Sequence, residues 1–330
     1  MISSELFTVA QHSIKNQMPL LVLGAPGLGK TAIMEQAAES VDFDVQVLYL
    51  SMIDPVEMYG LTVPITEEGK RRVERLLDDM LLSIVESKKP MLLLLDELDK
   101  ASATTQSAVG PLLLARRIGK HQLPDHVAIG ATANRRSDRA GSQGILSHII
   151  SRMTTVFLDV DVQAWTKWAT QKGLHPSTIS FIRHRPSLLH DFDAEKVVAG
   201  SAPYPCPRTW EEVSQHTIKK VPDNVASIVY AGCVGQAAAL EYASHLRLYN
   251  ELPDLEAAMD APDNLVFPTT IGGLYALVSG LAVLASNNKN AAAIFRIAER
   301  LISAKKSEYA ACLVVQFVAD IITMKERLSY

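Results

Sequence analysis

Short, nearly unbroken apolar runs recur through the first half of the chain: PLLVLG (19–24), VQVLYLS (45–51), MLLLLD (91–96), VAIGATAN (127–134) and TTVFLDV (154–160). Runs of this length without polar alternation are the pattern of strands buried on both faces. Between them the apolar positions fall at helical spacing over Lys30–Ser40, Val73–Ser87 and Ala103–Arg116. Buried strands alternating with helices predict an α/β fold, a three-layer αβα arrangement around a parallel sheet. After about Asp159 the strand pattern stops. DVQAWTKWATQKG reads as a helix, two proline-rich segments follow (184–193 and 199–208), and long helical stretches cover about 223–250 and 272–327. The sequence therefore predicts an all-α region after a boundary near Val160.

Composition narrows the class without changing that outline. With 330 residues, 48% of them hydrophobic and 21% charged, the chain is ordinary globular material long enough for more than one core. A net charge of −4 excludes a blanket basic surface for nucleic acid. The cysteines, Cys206, Cys233 and Cys312, are odd in number and far apart, which fits neither a disulfide framework nor a zinc site and suits a reducing compartment. The N-terminal segment has no basic region followed by an apolar one, so a cytoplasmic protein is expected. Residues 264–288 carry no charge, but Pro268, two threonines and Gly272-Gly273 interrupt their first third. The remaining apolar run is shorter than the ~20 residues of a membrane span. A buried or subunit-interface helix is expected there, with no membrane contact.

Chemistry enters at the end of the first strand. Gly24-Ala25-Pro26-Gly27-Leu28-Gly29-Lys30-Thr31 has the spacing GxxxxGK[ST], preceded by a strand pattern and followed by a helical one. Glycines at these positions let backbone N–H groups curve around a phosphate, and the following helix N-terminus adds its dipole. Lys30 supplies charge to the β- and γ-phosphates, and the Thr31 hydroxyl is placed for Mg²⁺. The third strand ends in Asp96-Glu97. At the C-terminal end of a parallel strand Asp96 can hold the Mg²⁺ water shell, and Glu97 can act as general base toward the water attacking the γ-phosphate. The expected ligands are ATP and Mg²⁺.

Taken together, GAPGLGKT, LLLLDELDKA and VAIGATAN resemble the Walker A, Walker B and sensor 1 elements of AAA+ ATPases. Within that superfamily DPVEMYG (54–60) and LLLARRIGKHQLPDHVAIGATAN are similar to the MoxR group, and the resemblance covers about residues 18–215. It implies an AAA+ core over 1–159, a helical lid over 160–250 and a helical extension of the lid over 251–330. It also implies a ring-shaped homo-oligomer, a hexamer, that hydrolyses ATP to remodel a partner protein, one with a von Willebrand A (VWA) domain. The resemblance further gives Asn134 a sensor 1 role in orienting the attacking water, and Arg152 the role of a finger reaching a neighbour's γ-phosphate. Such a finger is worth ~10³–10⁵ in rate. Arg208, at an expected helix start, resembles the sensor 2 arginine, and Ser51 could restrain Glu97 until a partner binds. The segment 61–75 fits a hairpin or insert that resembles a partner-facing element of MoxR proteins. Arg135, Arg136 and Arg139 read as a solvated loop, Arg116 and Arg117 as facing solvent or a neighbour, and Trp165 and Trp168 as core. Two other functions fit the same motifs: a nucleic-acid motor or loader, which the acidic balance disfavours, and an ATP-gated scaffold with little turnover.

Overall fold

The computed structural model describes residues 1–67, 70–138, 144–193, 202–288 and 290–325. They divide into two compact units, Met1–Val160 and Asp161–Tyr330.

In the first unit the strands are β1 (Leu20–Gly24), β2 (Asp44–Tyr49), β3 (Leu61–Glu67), β4 (Lys70–Leu76), β5 (Met91–Asp96), β6 (Arg117–Ile118), β7 (His121–Gln122), β8 (Val127–Ala133) and β9 (Thr154–Leu158). Five of them form one sheet in the order β2-β5-β8-β1-β9. All its pairings are parallel. Helices α1 (Ser3–Lys15), α2 (Lys30–Glu39), α3 (Pro55–Tyr59), α4 (Asp79–Val85), α5 (Ala103–Ala115) and α6 (Ser147–Ile150) complete the unit. Side chains alternate across a strand, so each apolar run feeds two cores. Leu20, Val22, Leu92 and Leu94 pack on one face with Leu6, Ala10 and Ile14 of α1 and Met34 of α2. Leu21, Leu93 and Leu95 pack on the other with Met58, Ile84, Val109 and Leu112. The expected three-layer α/β architecture with a parallel sheet is therefore the one observed, and among the described residues it is followed by helices without a further strand.

Two local features differ from the sequence expectation. Val73–Ser87 is not one helix, because residues 70–76 are strand β4, paired antiparallel with β3, and only Asp79–Val85 is helical. The spacing of Val73, Leu76, Leu77, Leu81 and Ile84 imitates a helical face, but the pairing with β3 claims the first part. The EEG turn expected for this hairpin includes residues 68 and 69, outside the described residues. Helix α1 was not anticipated, although Leu6, Ala10 and Ile14 lie four apart and are buried.

Helix α2 packs closely over β8: a Cβ on Gly130 would lie 2.8 Å from Met34 Cε and 3.3 Å from Leu92 Cδ1, so a larger residue there requires the Met34 side chain to shift.

The second unit contains α7 (Val162–Lys172), α8 (Pro176–His184), α9 (Pro207–Ile218), α10 (Asp223–Val234), α11 (Gln236–Asn250), α12 (Leu255–Asp260), α13 (Ile271–Asn288), α14 (Ala291–Ser303) and α15 (Ser307–Lys325). Trp165, Phe181, Trp210 and Tyr242 centre one apolar cluster, and α13, α14 and α15 enclose another. Trp165 is core, as expected, and Trp168 packs against that core. Helix α13 lies within the charge-free stretch and buries Leu274, Leu277, Val278, Leu281 and Ala282, so its all-round hydrophobicity is that of a core helix. Among the described residues no helix is long and apolar enough to cross a membrane.

Candidate active site

Strand β1 ends at Gly24, and the chain turns through 25–29 into α2 with Gly29 as the N-cap residue. Gly27 and Gly29 both have φ near +81°, a left-handed backbone that favours glycine. A Cβ on Gly29 would meet nothing within 4 Å, so glycine is needed there for the backbone turn and not for space. The loop brings Lys30 to the start of the helix, where its ammonium is half-buried and donates to Gly24 O (2.8 Å), Ala25 O (3.0 Å) and Asn134 Oδ1 (3.0 Å).

Asp96, at the end of β5, is gripped from several sides. Thr31 Oγ1 donates to its Oδ2 at 2.8 Å, while the Thr132 hydroxyl and the Glu97 amide (2.8 Å) donate to Oδ1. The register explains Thr132: Leu95 pairs with Ala131, which sets the next residue on β8 beside Asp96. Glu97 follows in a left-handed conformation, φ +56°, which turns the chain sharply off the strand. Its carboxylate takes hydrogen bonds from the Ser51 hydroxyl and the Lys100 ammonium. Ser51 thus contacts the group it was expected to restrain. Asp99 is fully buried and accepts from Asn134 twice, from its backbone N (3.0 Å) and its Nδ2 (3.3 Å). Glu35, in α2, is held above the usual carboxylate range, first by burial and then by the charges of Glu39 and Asp96. The strand ends therefore present a concentration of negative charge and hard oxygen donors beside a loop shaped for phosphate.

The structure brings Gly24–Thr31, Asp96, Glu97 and Asn134 into one cluster. Thr132, Asp99 and Lys100 join it without having been singled out, although each lies inside a quoted motif. Arg152 lies in the turn between α6 and β9, half-buried, with its guanidinium donating to the His148 carbonyl of α6. Arg208 is the second residue of α9 in the helical unit, on a face shared with Glu211, Glu212, Gln215, His216 and Lys219.

Two of the arginines expected at the surface are structural. Arg135 donates to Leu158 O and to Asp159, and that hydrogen bond, ahead of the ion-pair attraction, draws the Asp159 carboxyl below its usual range. Arg116 turns inward to Pro124 O (2.9 Å) and Val127 O (2.6 Å). Arg136 and Arg117 are exposed as expected, and Arg139 lies outside the described residues.

Residues 20–157 match the family model for the ATPase family associated with various cellular activities (AAA). The chain carries an AAA ATPase domain. The parallel α/β core followed by a helical C-terminal region fits the fold of that family. A curated relative, midasin of Giardia intestinalis, is 33% identical over 156 residues, which are 45% of this chain but 3% of that protein. Among solved structures, the RuvB Holliday junction branch migration motor of Thermotoga maritima is 15% identical, with 87% of this chain and 83% of that one covered at a TM-score of 0.40. NtrX from Brucella abortus, in complex with ADP, is 14% identical, with 91% and 67% covered at a TM-score of 0.41. At these scores the family assignment rests on the match over residues 20–157.

Proposed function

We propose that the AAA domain works as a MoxR-type, Mg²⁺-dependent ATPase. In this reading it acts in the cytoplasm as a ring-shaped hexamer and remodels a partner protein bearing a VWA domain. The observation that carries the catalytic part is a pair of polar chains across the ends of β1, β5 and β8. Lys30 joins Asn134, Asn134 joins Asp99, and Thr31 and Thr132 both hold Asp96.

Gly24 to Gly29, with Ala25, Pro26 and Leu28 between them, cradle the phosphates, and Lys30 exchanges its carbonyl partners for the β- and γ-phosphate oxygens. Thr31 and Asp96 hold Mg²⁺, for which hydroxyl and carboxylate oxygens are suitable donors. When bound, the ion offsets the charge of the phosphates and of the crowded acids. Glu97 takes a proton from the attacking water as the γ-phosphate bond to the leaving diphosphate breaks. Asn134 orients that water. Arg152 of a neighbouring subunit and Arg208 stabilise the charge on the transferred group. Both Glu97 oxygens accept hydrogen bonds from Ser51 and Lys100 in this structure, which supports a resting state that must be released before turnover. The MoxR resemblance supports the ring, the VWA partner and a partner-facing role for the β3–β4 hairpin.

Glu97→Gln should still bind ATP while turnover falls ~10²–10⁴-fold, the usual scale of a positioned general base. Lys30→Ala should abolish binding. Parent-level phosphate release by Glu97→Gln would remove the catalytic assignment.

A further inference from the structure

The amide of Asn134 has two faces with opposite hydrogen-bonding character, and the structure commits each to a different partner. Its Nδ2 donates to Asp99 Oδ2 at 3.3 Å, and the Asn134 backbone N donates to Asp99 Oδ1 at 3.0 Å. Its Oδ1 accepts from Lys30 Nζ at 3.0 Å. Asp99 is fully buried, and as a carboxylate it can only accept. A flipped Asn134 would set a carbonyl oxygen against that carboxylate and an NH₂ against the Lys30 ammonium, two repulsive contacts in place of two attractive ones.

We infer that Asp99 is a positioning residue that locks the Asn134 amide so that its oxygen, and never its NH₂, faces the reacting phosphate. This rests on the reading of Asn134 as the group that orients the attacking water. When Lys30 moves to the phosphates, the Asn134 oxygen is left as a lone acceptor. It can then hold one O–H of the water while Glu97 takes the proton from the other, and the water's lone pair is free to attack. An amide that presented its NH₂ would occupy that lone pair. Asp99 thus reaches the chemistry through a hydrogen bond and touches no reacting atom. Two adjacent positions of the same turn divide the work: Asp99 faces Asn134, and Lys100 faces Glu97.

The test uses the purified chain with ATP, measuring kcat, ATP affinity by displacement of a fluorescent nucleotide, and Tm. Asp99→Asn keeps an acceptor for the Asn134 backbone but can offer NH₂ to the side chain, which lets the amide flip. It should lower kcat roughly 10- to 100-fold, the scale of a small misplacement at a reacting centre, with ATP affinity unchanged. Asn134→Asp alone sets two carboxylates face to face and should lose kcat as well. The pair Asp99→Asn with Asn134→Asp restores the donor–acceptor pattern with its direction exchanged, and should recover kcat to within about threefold of the parent, a rescue that a merely structural role does not give. Parent-level kcat in Asp99→Asn, or no recovery in the exchanged pair, overturns the inference. If Asp99→Asn does not fold, Asn134→Asp and the exchanged pair still decide it. Asn134→Ala serves as the control. Parent-level kcat there overturns the water-orienting role itself, whereas a loss there without one in Asp99→Asn overturns only the Asp99 assignment.

Discussion

The ATPase core and the helical unit both bury polar side chains, but they use them differently. At the strand ends Lys30, Asn134 and Asp99 are bonded in one chain and Thr31, Asp96 and Thr132 in another, and each chain leads to a group assigned to chemistry. In the helical unit the polar groups close on themselves. The Tyr242 hydroxyl, inside the aromatic cluster, meets the hydroxyls of Ser177 (3.2 Å), Thr178 (3.0 Å) and Thr217 (2.9 Å). His245 lies against the rings of Phe181, His184 and Tyr249, and its Nε2 has no hydrogen-bond partner among the described residues. A polar network at a site transmits substitutions into rate, whereas one sealed in a core transmits them into stability.

The largest effect expected from this contrast is acid lability confined to the helical unit. Burial, and then the His184 charge, lowers the His245 pKa from 6.5 to about 4. The folded state therefore resists the proton that the unfolded chain accepts. Stability is whole above about pH 6.5 and falls with pH, by about 2 kcal/mol at pH 5 and about 3 kcal/mol near pH 4. Trp165, Trp168 and Trp210 are the chain's three tryptophans and all lie in this unit, so their fluorescence in urea titrations at pH 7 and pH 5 isolates it. His245→Phe should flatten the acid limb, and an equally steep limb in that variant would transfer the effect to other groups.

Next in size, Tyr242→Phe leaves three hydroxyls short of a partner and should cost about 1–3 kcal/mol by the same probe, with kcat at low temperature unchanged. A lowered kcat would break the contrast by linking the two networks. Thr132→Val is the converse: kcat should fall about tenfold as Asp96 loses a donor, with little change in tryptophan-monitored melting. Replacement by serine should recover the activity. At the bottom of the scale, Lys120→Ala removes an exposed pair with Glu74 (2.7 Å) and should leave both Tm and kcat unchanged.

The same contrast accounts for what the sequence disclosed. Gly24–Thr31, Asp96 and Glu97 were legible because phosphate and metal chemistry imposes residue types at fixed local spacing. Asn134 was reached through the resemblance of VAIGATAN to a sensor 1 element. Thr132 and Asp99 were passed over because each gains meaning from a neighbour on another strand or loop, and Lys100 because its contact with Glu97 depends on the shape of the turn they share. A threonine in VAIGATAN reads as strand interior until the β5–β8 register sets it beside Asp96. The His245 and Tyr242 surroundings were hidden for the same reason, since helical spacing fixes which face is buried but not which helix covers it. The β3–β4 pairing matches the hairpin expected over 61–75, and only the helix start at Val73 was misjudged, because the apolar spacing there suits either structure.

The sheet order has a consequence for synthesis. Strand β1 emerges first, yet its neighbours are β8 and β9, whose residues begin at 127 and 154. At ~5–20 residues per second, the Leu20–Gly24 segment waits on the order of 5–20 s outside the ribosome before its first partner strand exists. Helices α1 and α2 flank that segment in sequence and lie on it in the finished unit, so they are its available cover during the interval. The phosphate loop is thus made well before the two strands that pair with the strand leading into it.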